Sequence, residues 1–395
     1  MLFQVIDNKD ECLGYYADDK ITIDQTVPES LFQTWNYSGI LSDRTDIEYA
    51  KLFCGGLSLD EACPEDYMDK WLSTNERLKA YFRSFIEAKV SMDDNCFFQL
   101  VPHTFLQQYY EGRNRITEHV FDTYQRPENY SFLVELSKMT TEISKQRINI
   151  DHARLVEYMH TTAGRNFVNK IKRTEPYCKY NIFGTKTGRL STAKDSFPIL
   201  TMNKLFRGII KANNDFLIEL DFNAAELRTL LSLCGEDQPQ EDLHDWNLKK
   251  LYKGKGTREE AKKKIFAWLY NPDSEAGVAD KFYDREYVKM IYWNKDKVHT
   301  PFQRVIPCDE HHSISYIIQS TCSDNTLRQM IKLWKLLEGR KSYVAFTMHD
   351  SVVVDFSKED RDLLYDILME FRETDLGEYV INVKCGENYG EMREL

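Results

Sequence analysis

Residues 343–355 read Tyr-Val-Ala-Phe-Thr-Met-His-Asp-Ser-Val-Val-Val-Asp, and a segment of that composition has few conformations open to it. Two apolar runs, rich in β-branched and aromatic residues, flank the polar pair His349-Asp350. Runs of this kind separated by two turn residues form an antiparallel hairpin. The expected elements are a strand over 343–348, a tight turn at His349-Asp350 and a strand over 352–355. Residues 216–222, Phe-Leu-Ile-Glu-Leu-Asp-Phe, read as a further apolar strand, and a helix is expected over about 224–233. Each of the two segments carries an aspartate where strand geometry exposes it. Asp221 ends its strand just before the helix, and Asp350 sits at the hairpin tip.

The rest of the chain alternates helix and strand without an internal repeat or a low-complexity linker. Residues 2–6 and 13–16 read as short strands. Over 66–90, Tyr67, Trp71, Leu78, Phe82, Phe85 and Ile86 recur at helical spacing. The polar, proline-containing stretch Arg126-Pro127-Glu128-Asn129 marks a boundary. Helices are expected over about 131–146, 152–172, 257–270 and 314–338.

Charge is informative once it is divided. The net charge of −11 is awkward for a protein that binds phosphate backbones. Residues 1–125 hold 11 Lys/Arg against 22 Asp/Glu, so they carry the whole excess and residues 126–395 are about neutral. Within the latter, 161–211 holds eleven basic residues against two acidic ones, and 249–264 holds eight against two. Local field counts for more than the sum, although a solvated charged surface would give the same counts. No run of 18 apolar residues exists, so no membrane helix is expected. The start, Met-Leu-Phe-Gln-Val-Ile-Asp, does not read as a signal peptide. Nine cysteines without a Cys-x-x-Cys pair read as reduced cytosolic thiols.

The chemistry-bearing residues are two sets. Carboxylates are ligands for hard cations, and two of them on separate strands can hold two Mg²⁺ ions about 3.5–4 Å apart for in-line phosphoryl transfer. Asp221 and Asp350 suit that task; helix caps and turns are the alternative reading. In the basic helix, Arg258, Lys262, Phe266 and Tyr270 recur every four residues and share one broad face. That face offers two cations for a triphosphate and two rings for a sugar and a base. An amphipathic surface helix would show the same spacing.

Seven segments taken in order resemble the family A DNA polymerases, the family of bacterial DNA polymerase I, over residues 180–395. Thr187-Gly188-Arg189-Leu190-Ser191 matches the family's Thr-Gly-Arg-Leu-Ser. Asp221-Phe-Asn-Ala-Ala-Glu226-Leu-Arg228 resembles motif A. Asp242-Leu-His244 resembles the Asp-Ile-His ahead of the fingers helix, and Arg258, Lys262, Phe266 and Tyr270 match that helix. Gln319-Ser-Thr321-Cys-Ser-Asp324 resembles Gln-Gly-Thr-Ala-Ala-Asp. His349-Asp350-Ser351 resembles motif C, and Cys385-Gly386-Glu387-Asn388-Tyr389 resembles the closing Gly-Glu-Asn-Trp.

The resemblance implies an α/β (α+β) right-hand polymerase: an antiparallel palm sheet, helical fingers and thumb, and an N-terminal α/β domain. Its boundaries would be 1–125 for the N-terminal domain, 126–180 for the thumb, 181–235 with 301–395 for the palm, and 236–300 for the fingers. Segment 141–151 resembles the start of the family's thumb, and Lys170, Lys172 and Arg173 would grip the duplex. The implied activity is DNA-directed DNA polymerisation with two Mg²⁺, for which Mn²⁺ can substitute. Metal ligands would be Asp221, Asp350 and the Phe222 carbonyl. His244, Arg258 and Lys262 would hold the triphosphate, Phe266 the sugar, and Tyr270 would stand by the templating base. Glu226 would exclude a ribose 2′-hydroxyl. Primer–template contacts would come from Thr187, Arg189, Lys204, Arg207, His311, Gln319, Thr321 and His349. Arg189, Gln319 and His349 would meet minor-groove acceptors that every base pair presents. Arg228 is assigned to palm structure.

Departures from the pattern carry expectations of their own. Ser351 replaces the motif C glutamate. Asp355, five residues beyond Asp350, is not expected to stand in, because alternation gives it the opposite face. The Mg²⁺ requirement should then exceed that of a Ser351→Glu variant. His311 and Ser315 replace an arginine and an asparagine, which weakens expected primer–template contact. Asn271-Pro272 should end the fingers helix. Asp7-Asn8-Lys9 replaces the Asp-x-Glu of a proofreading exonuclease, and no set of four metal carboxylates is evident, so no proofreading is expected. Residues 1–125 read as a degenerate exonuclease-like fold or as a docking domain for a replisome protein. Size and divergence resemble bacteriophage or viral members, acting in the host cytoplasm. Two other readings are a single-subunit RNA polymerase, against which Glu226 and Phe266 speak, and an idle DNA-binding subunit of a split replicase.

Overall fold

The computed structural model describes all residues except 9, 10, 25, 93 and 272–277; Lys9 and Pro272, which carry two of the expectations above, therefore lie outside the described residues. The contacts divide the chain into two compact units, Met1–Thr141 and Glu142–Leu395.

The first unit opens with a three-stranded antiparallel sheet, Gln4–Asn8, Glu11–Ala17 and Lys20–Thr22, close to the expected positions. Helix Met68–Glu87 follows as its periodicity requires, and Trp71 is its fully buried anchor. Helix His103–Thr123 is unforeseen. It buries Phe105, Leu106, Tyr110, Ile116 and Val120 along one stripe. Two apolar clusters result, one around Trp35, Tyr67, Trp71 and Ile116, the other around Ile6, Tyr16, Phe105 and Tyr110. Asp7 accepts a hydrogen bond from the Ser38 hydroxyl at 2.5 Å.

The second unit is built on a five-stranded antiparallel sheet in the order Tyr343–Met348, Ser351–Phe356, Phe216–Phe222, Ile381–Gly386, Arg393–Glu394. The hairpin forms where the sequence places it. Strand Phe216–Phe222 is central because both its edges are paired. Ile218, Leu220 and Phe222 alternate with Leu217, Glu219 and Asp221, and only Phe216 and Asp221 are not buried. Helix Glu310–Leu336 is almost wholly buried between Ile317 and Leu333, small and polar side chains included, as expected of a spine covered all round. Helices Ala225–Leu233, Leu243–Lys250, Arg258–Tyr270 and Arg285–Tyr292 share one apolar core with it, centred on Leu230, Leu243, Ile265, Tyr283 and Ile317.

The single helix expected over 152–172 is broken. It runs His152–Glu157, tightens over Tyr158–His160, and restarts as Thr162–Ile171. Thr161 has extended backbone and its side chain accepts from the Gly164 N–H, so it caps a new helix.

Candidate active site

The register of the sheet brings the two aspartates to one end. Asp221 lies directly opposite Ser351 on one flank and Asn382 on the other. Asp350 is the residue before Ser351, in the two-residue turn closed by the Met348–Ser351 pair. His349 takes left-handed backbone there, with φ of 57°, which a side-chain-bearing residue adopts at a cost. That strained corner sets Asp350 at the sheet end beside Asp221. The Asn382 amide donates to Asp221 at 3.2 Å.

Both carboxyls are electrostatically uneasy. Burial raises the Asp221 pKa from its ordinary 3.8 to about 6, and the charges of Glu219 and Asp350 push it the same way. Asp350 is also raised, first by burial, with Arg189 opposing and Glu226 reinforcing the shift. A pair that repels itself and has few donors is a site that a divalent cation would relieve, and hard oxygen ligands fit Mg²⁺ or Mn²⁺. Among the described residues no group of three or more His, Cys, Asp or Glu is gathered for a metal ion. The Phe222 ring stacks on Phe371 at 4.3 Å, so only its backbone is free to face a ligand.

Beside the aspartates a second cluster forms around Glu226, in the first turn of its helix. Arg189 donates to Glu226 at 2.6 Å. Burial and the Glu226 carboxylate together raise the Tyr270 hydroxyl well above its ordinary pKa, and Gln319 also bonds that hydroxyl. Arg189 is aimed by what lies beneath it. Gly188 has φ of +79°, and a Cβ there would come within 2.5 Å of the Arg304 guanidinium. Arg304 in turn holds Asp324, which is fully buried, through bonds of 2.9 and 2.7 Å. Glycine at 188 is thus required by both conformation and close approach.

Helix Arg258–Tyr270 starts with a Thr257–Glu260 capping box, which explains its sharp onset. Phe266 and Tyr270 stack at 6.3 Å, and the His244 ring lies 5.9 Å from Phe266. Lys262 is exposed. Arg258 is engaged within the protein: it donates to Asp242 at 3.1 and 2.7 Å. Asp242 also caps helix Leu243–Lys250 and accepts from Asn223 at 2.7 Å. Burial alone would raise the Asp242 carboxyl; these bonds hold it well below the usual range. His244 is 3% exposed, and burial lowers its pKa to about 4, so it is neutral at pH 7.

The remaining expected residues divide. His349 and Lys204 are exposed. Arg207 lies over the Tyr389 ring at 4.9 Å. Gln319 donates to Ser315, one turn earlier, at 3.2 Å. His311 and Ser315 line, with Tyr270, Arg285 and Lys289, a cleft of about 400 Å³. One expectation needs correction: Thr321 is fully buried within the spine helix, so its hydroxyl does not present itself to a ligand. Thr187 is 7% exposed in the turn before Gly188. Asp355 also differs from expectation in its reason. It sits opposite Leu217, on the face shared by Leu217, Glu219 and Asp221. It stays out of the site because it lies at the far end of the strand, where it accepts from the Asn213 and Asn214 N–H groups at 2.7 and 2.8 Å.

Sequence reasoning misses Asn382, Glu219, Arg304 and the Asp242–Arg258 pair. The signal for Glu219 was available: a second carboxylate two residues before Asp221 in an otherwise apolar strand. Nothing local marks Asn382, since its place depends on pairing 161 residues along the chain.

Solved structures match this architecture. The POL domain of Pol1 from M. smegmatis, in complex with DNA primer-template and dNTP, aligns over 98% of this chain and 95% of its own, with a TM-score of 0.66 and 11% identity. The chain has the fold of a polymerase domain. At that identity the likeness is one of fold. No family model and no curated protein matches the chain.

Proposed function

We propose that the chain is a template-directed DNA polymerase of the family A type, adding dNTPs to a primer 3′-hydroxyl. The observation that carries this is the sheet register that brings Asp221 and Asp350 to one end, beside the cluster of Arg189, Glu226 and Tyr270. In this reading residues 126–180 act as thumb, 181–235 with 301–395 as palm, and 236–300 as fingers.

Asp221, Asp350 and the Phe222 carbonyl would hold two Mg²⁺ ions, or Mn²⁺ in their place. When bound, these ions lower the pKa of the attacking hydroxyl and neutralise charge on the leaving pyrophosphate. Arg258 and Lys262 bind the triphosphate, Arg258 by exchanging Asp242 for phosphate oxygens. His244, neutral at pH 7, joins them at the triphosphate and lies near Phe266, which faces the sugar. Glu226, fixed by Arg189, leaves no room for a 2′-hydroxyl. Tyr270 and the cleft beside it, with His311 and Ser315, face the templating base. Thr187, Arg189, Lys204, Arg207, Gln319 and His349 contact the duplex; Thr321 supports the spine helix from within.

Residues 1–125 contribute no proofreading and act as a degenerate exonuclease-like fold or as a docking domain for a replisome protein. The chain acts in the cytoplasm, that of a host if it comes from a bacteriophage or other virus. Among the described residues no helix is long and apolar enough to cross a membrane. Primer extension with Mg²⁺ and either dNTPs or rNTPs tests the reading: extension with dNTPs alone is expected. Extension with rNTPs alone would favour a single-subunit RNA polymerase, and none with either would favour an idle subunit.

A further inference from the structure

Residues two apart on a strand share a face, so Glu219 and Asp221 project on the same side of the central strand. Glu219 is 8% exposed. A carboxylate that far from water is costly unless it is bonded. The Tyr389 hydroxyl donates to Glu219 Oε1 at 2.7 Å, and the Ser351 hydroxyl lies 3.4 Å from the same oxygen and 3.0 Å from the Met348 carbonyl. The half-exposed Lys384 ammonium is 3.8 Å from Oε2.

Ser351 and Tyr389 are both departures from the family A pattern, which has glutamate at the first and tryptophan at the second. The two departures converge on one carboxylate, which stands in an apolar strand. We propose that Glu219 is a positioning residue for the divalent-metal site at Asp221 and Asp350. It supplies from the central strand the negative charge that a glutamate at position 351 supplies in the pattern, with Tyr389 and Ser351 holding it in place. This rests on the polymerase reading. Glu219 acts by charge and by orienting its neighbours rather than as a ligand, in keeping with the two-carboxylate donor set. The count of nearby carboxylates sets the affinity of such sites, and partners one bond removed from the ligands tune it by about 10–100-fold.

The test measures Mn²⁺ binding to the full chain by loss of the free-ion paramagnetic resonance signal, a readout independent of activity. Glu219→Gln keeps the shape and removes the charge, and should raise the Mn²⁺ midpoint about tenfold. Adding Ser351→Glu to that variant should bring the midpoint back to within about twofold of the parent. Ser351→Glu alone should bring no gain, contrary to the expectation drawn from the sequence, because Glu219 already stands there and two carboxylates then crowd one spot. Tyr389→Phe, which frees the carboxylate, should move the midpoint in the same direction as Glu219→Gln by a smaller factor. Thermal unfolding in EDTA checks that each variant folds; if Glu219→Gln does not, Tyr389→Phe decides. An unchanged midpoint in the deciding variant overturns the proposal, and Asp221→Asn measured alongside separates the role of Glu219 from the existence of the metal site. Weakened binding in Asp221→Asn leaves the metal site standing without Glu219, whereas unchanged binding in both removes the metal site as well.

Discussion

Replacing Asp221 by asparagine should stabilise the metal-free protein, and the gain should depend on pH with a fixed sign. Asp221 is half-buried at the end of the central strand, facing Asp350 and Glu219. Its folded pKa of about 6 stands above the ordinary 3.8. A carboxyl raised in this way costs nothing below about pH 3, where both states are protonated; its cost builds as pH rises from about 4 to 6 and levels off above that. Above pH 7 the displacement corresponds to about 3 kcal/mol. The Asp221→Asn amide would keep the shape and shed that cost, and would also relieve Asp350. For a unit of the size of Glu142–Leu395 the change amounts to roughly 6–12 °C in Tm. The assay is thermal unfolding in EDTA at pH 4.5, 6 and 8. The variant should exceed the parent least at pH 4.5, where about a third of the cost is present, and most at pH 8. Mg²⁺ should then raise the Tm of the parent and leave the variant unmoved. A variant no more stable than the parent at pH 8 would refute the electrostatic reasoning.

Three further outcomes follow from the geometry. Arg228 is fully buried and donates to the carbonyls of Asn223, Pro239 and Glu241 at 2.8–2.9 Å; Arg228→Met leaves those acceptors bare and should cost about 3–5 kcal/mol, read as a lower urea midpoint. Gly188→Ala meets both the left-handed backbone and the Arg304 guanidinium, and should cost about 2–4 kcal/mol with a matching fall in Tm. Glu226→Ala removes the carboxylate between Arg189 and Tyr270; in single-turnover incorporation it should raise the rate with rNTPs relative to dNTPs by about tenfold or more.

The elements that were legible are those whose signal is local. Strand Phe216–Phe222 and the hairpin announce themselves by β-branched runs and a polar turn, and helix Arg258–Tyr270 by a four-residue repeat. Helix His103–Thr123 escaped because its start has no side-chain cap and its apolar residues are diluted by Gln, Asn and Arg. The break at Thr161 was readable in principle, since Thr-Thr-Ala-Gly is a cap signature; the helical periodicity on either side masked it. In the site, residue type marked Asp221, Asp350 and Glu226, whereas register decided their partners. Asn382 and Ser351 meet Asp221 only because two distant strands pair with it. Asp355 shows the limit of parity counting across a turn. Counted from Asp350 it belongs to the other face, but in the sheet the turn resets the alternation. Thr321 shows that a residue within a matching segment can be carrying the packing of that segment.

The central claim is templated nucleotidyl transfer at Asp221 and Asp350. Single-nucleotide addition tests it most directly, with each dNTP in turn offered to four primer–templates that differ only in the templating base. The account predicts addition of the complementary dNTP in each case and none by Asp350→Ala. Addition that ignores the templating base, or addition that survives in Asp350→Ala, would contradict it.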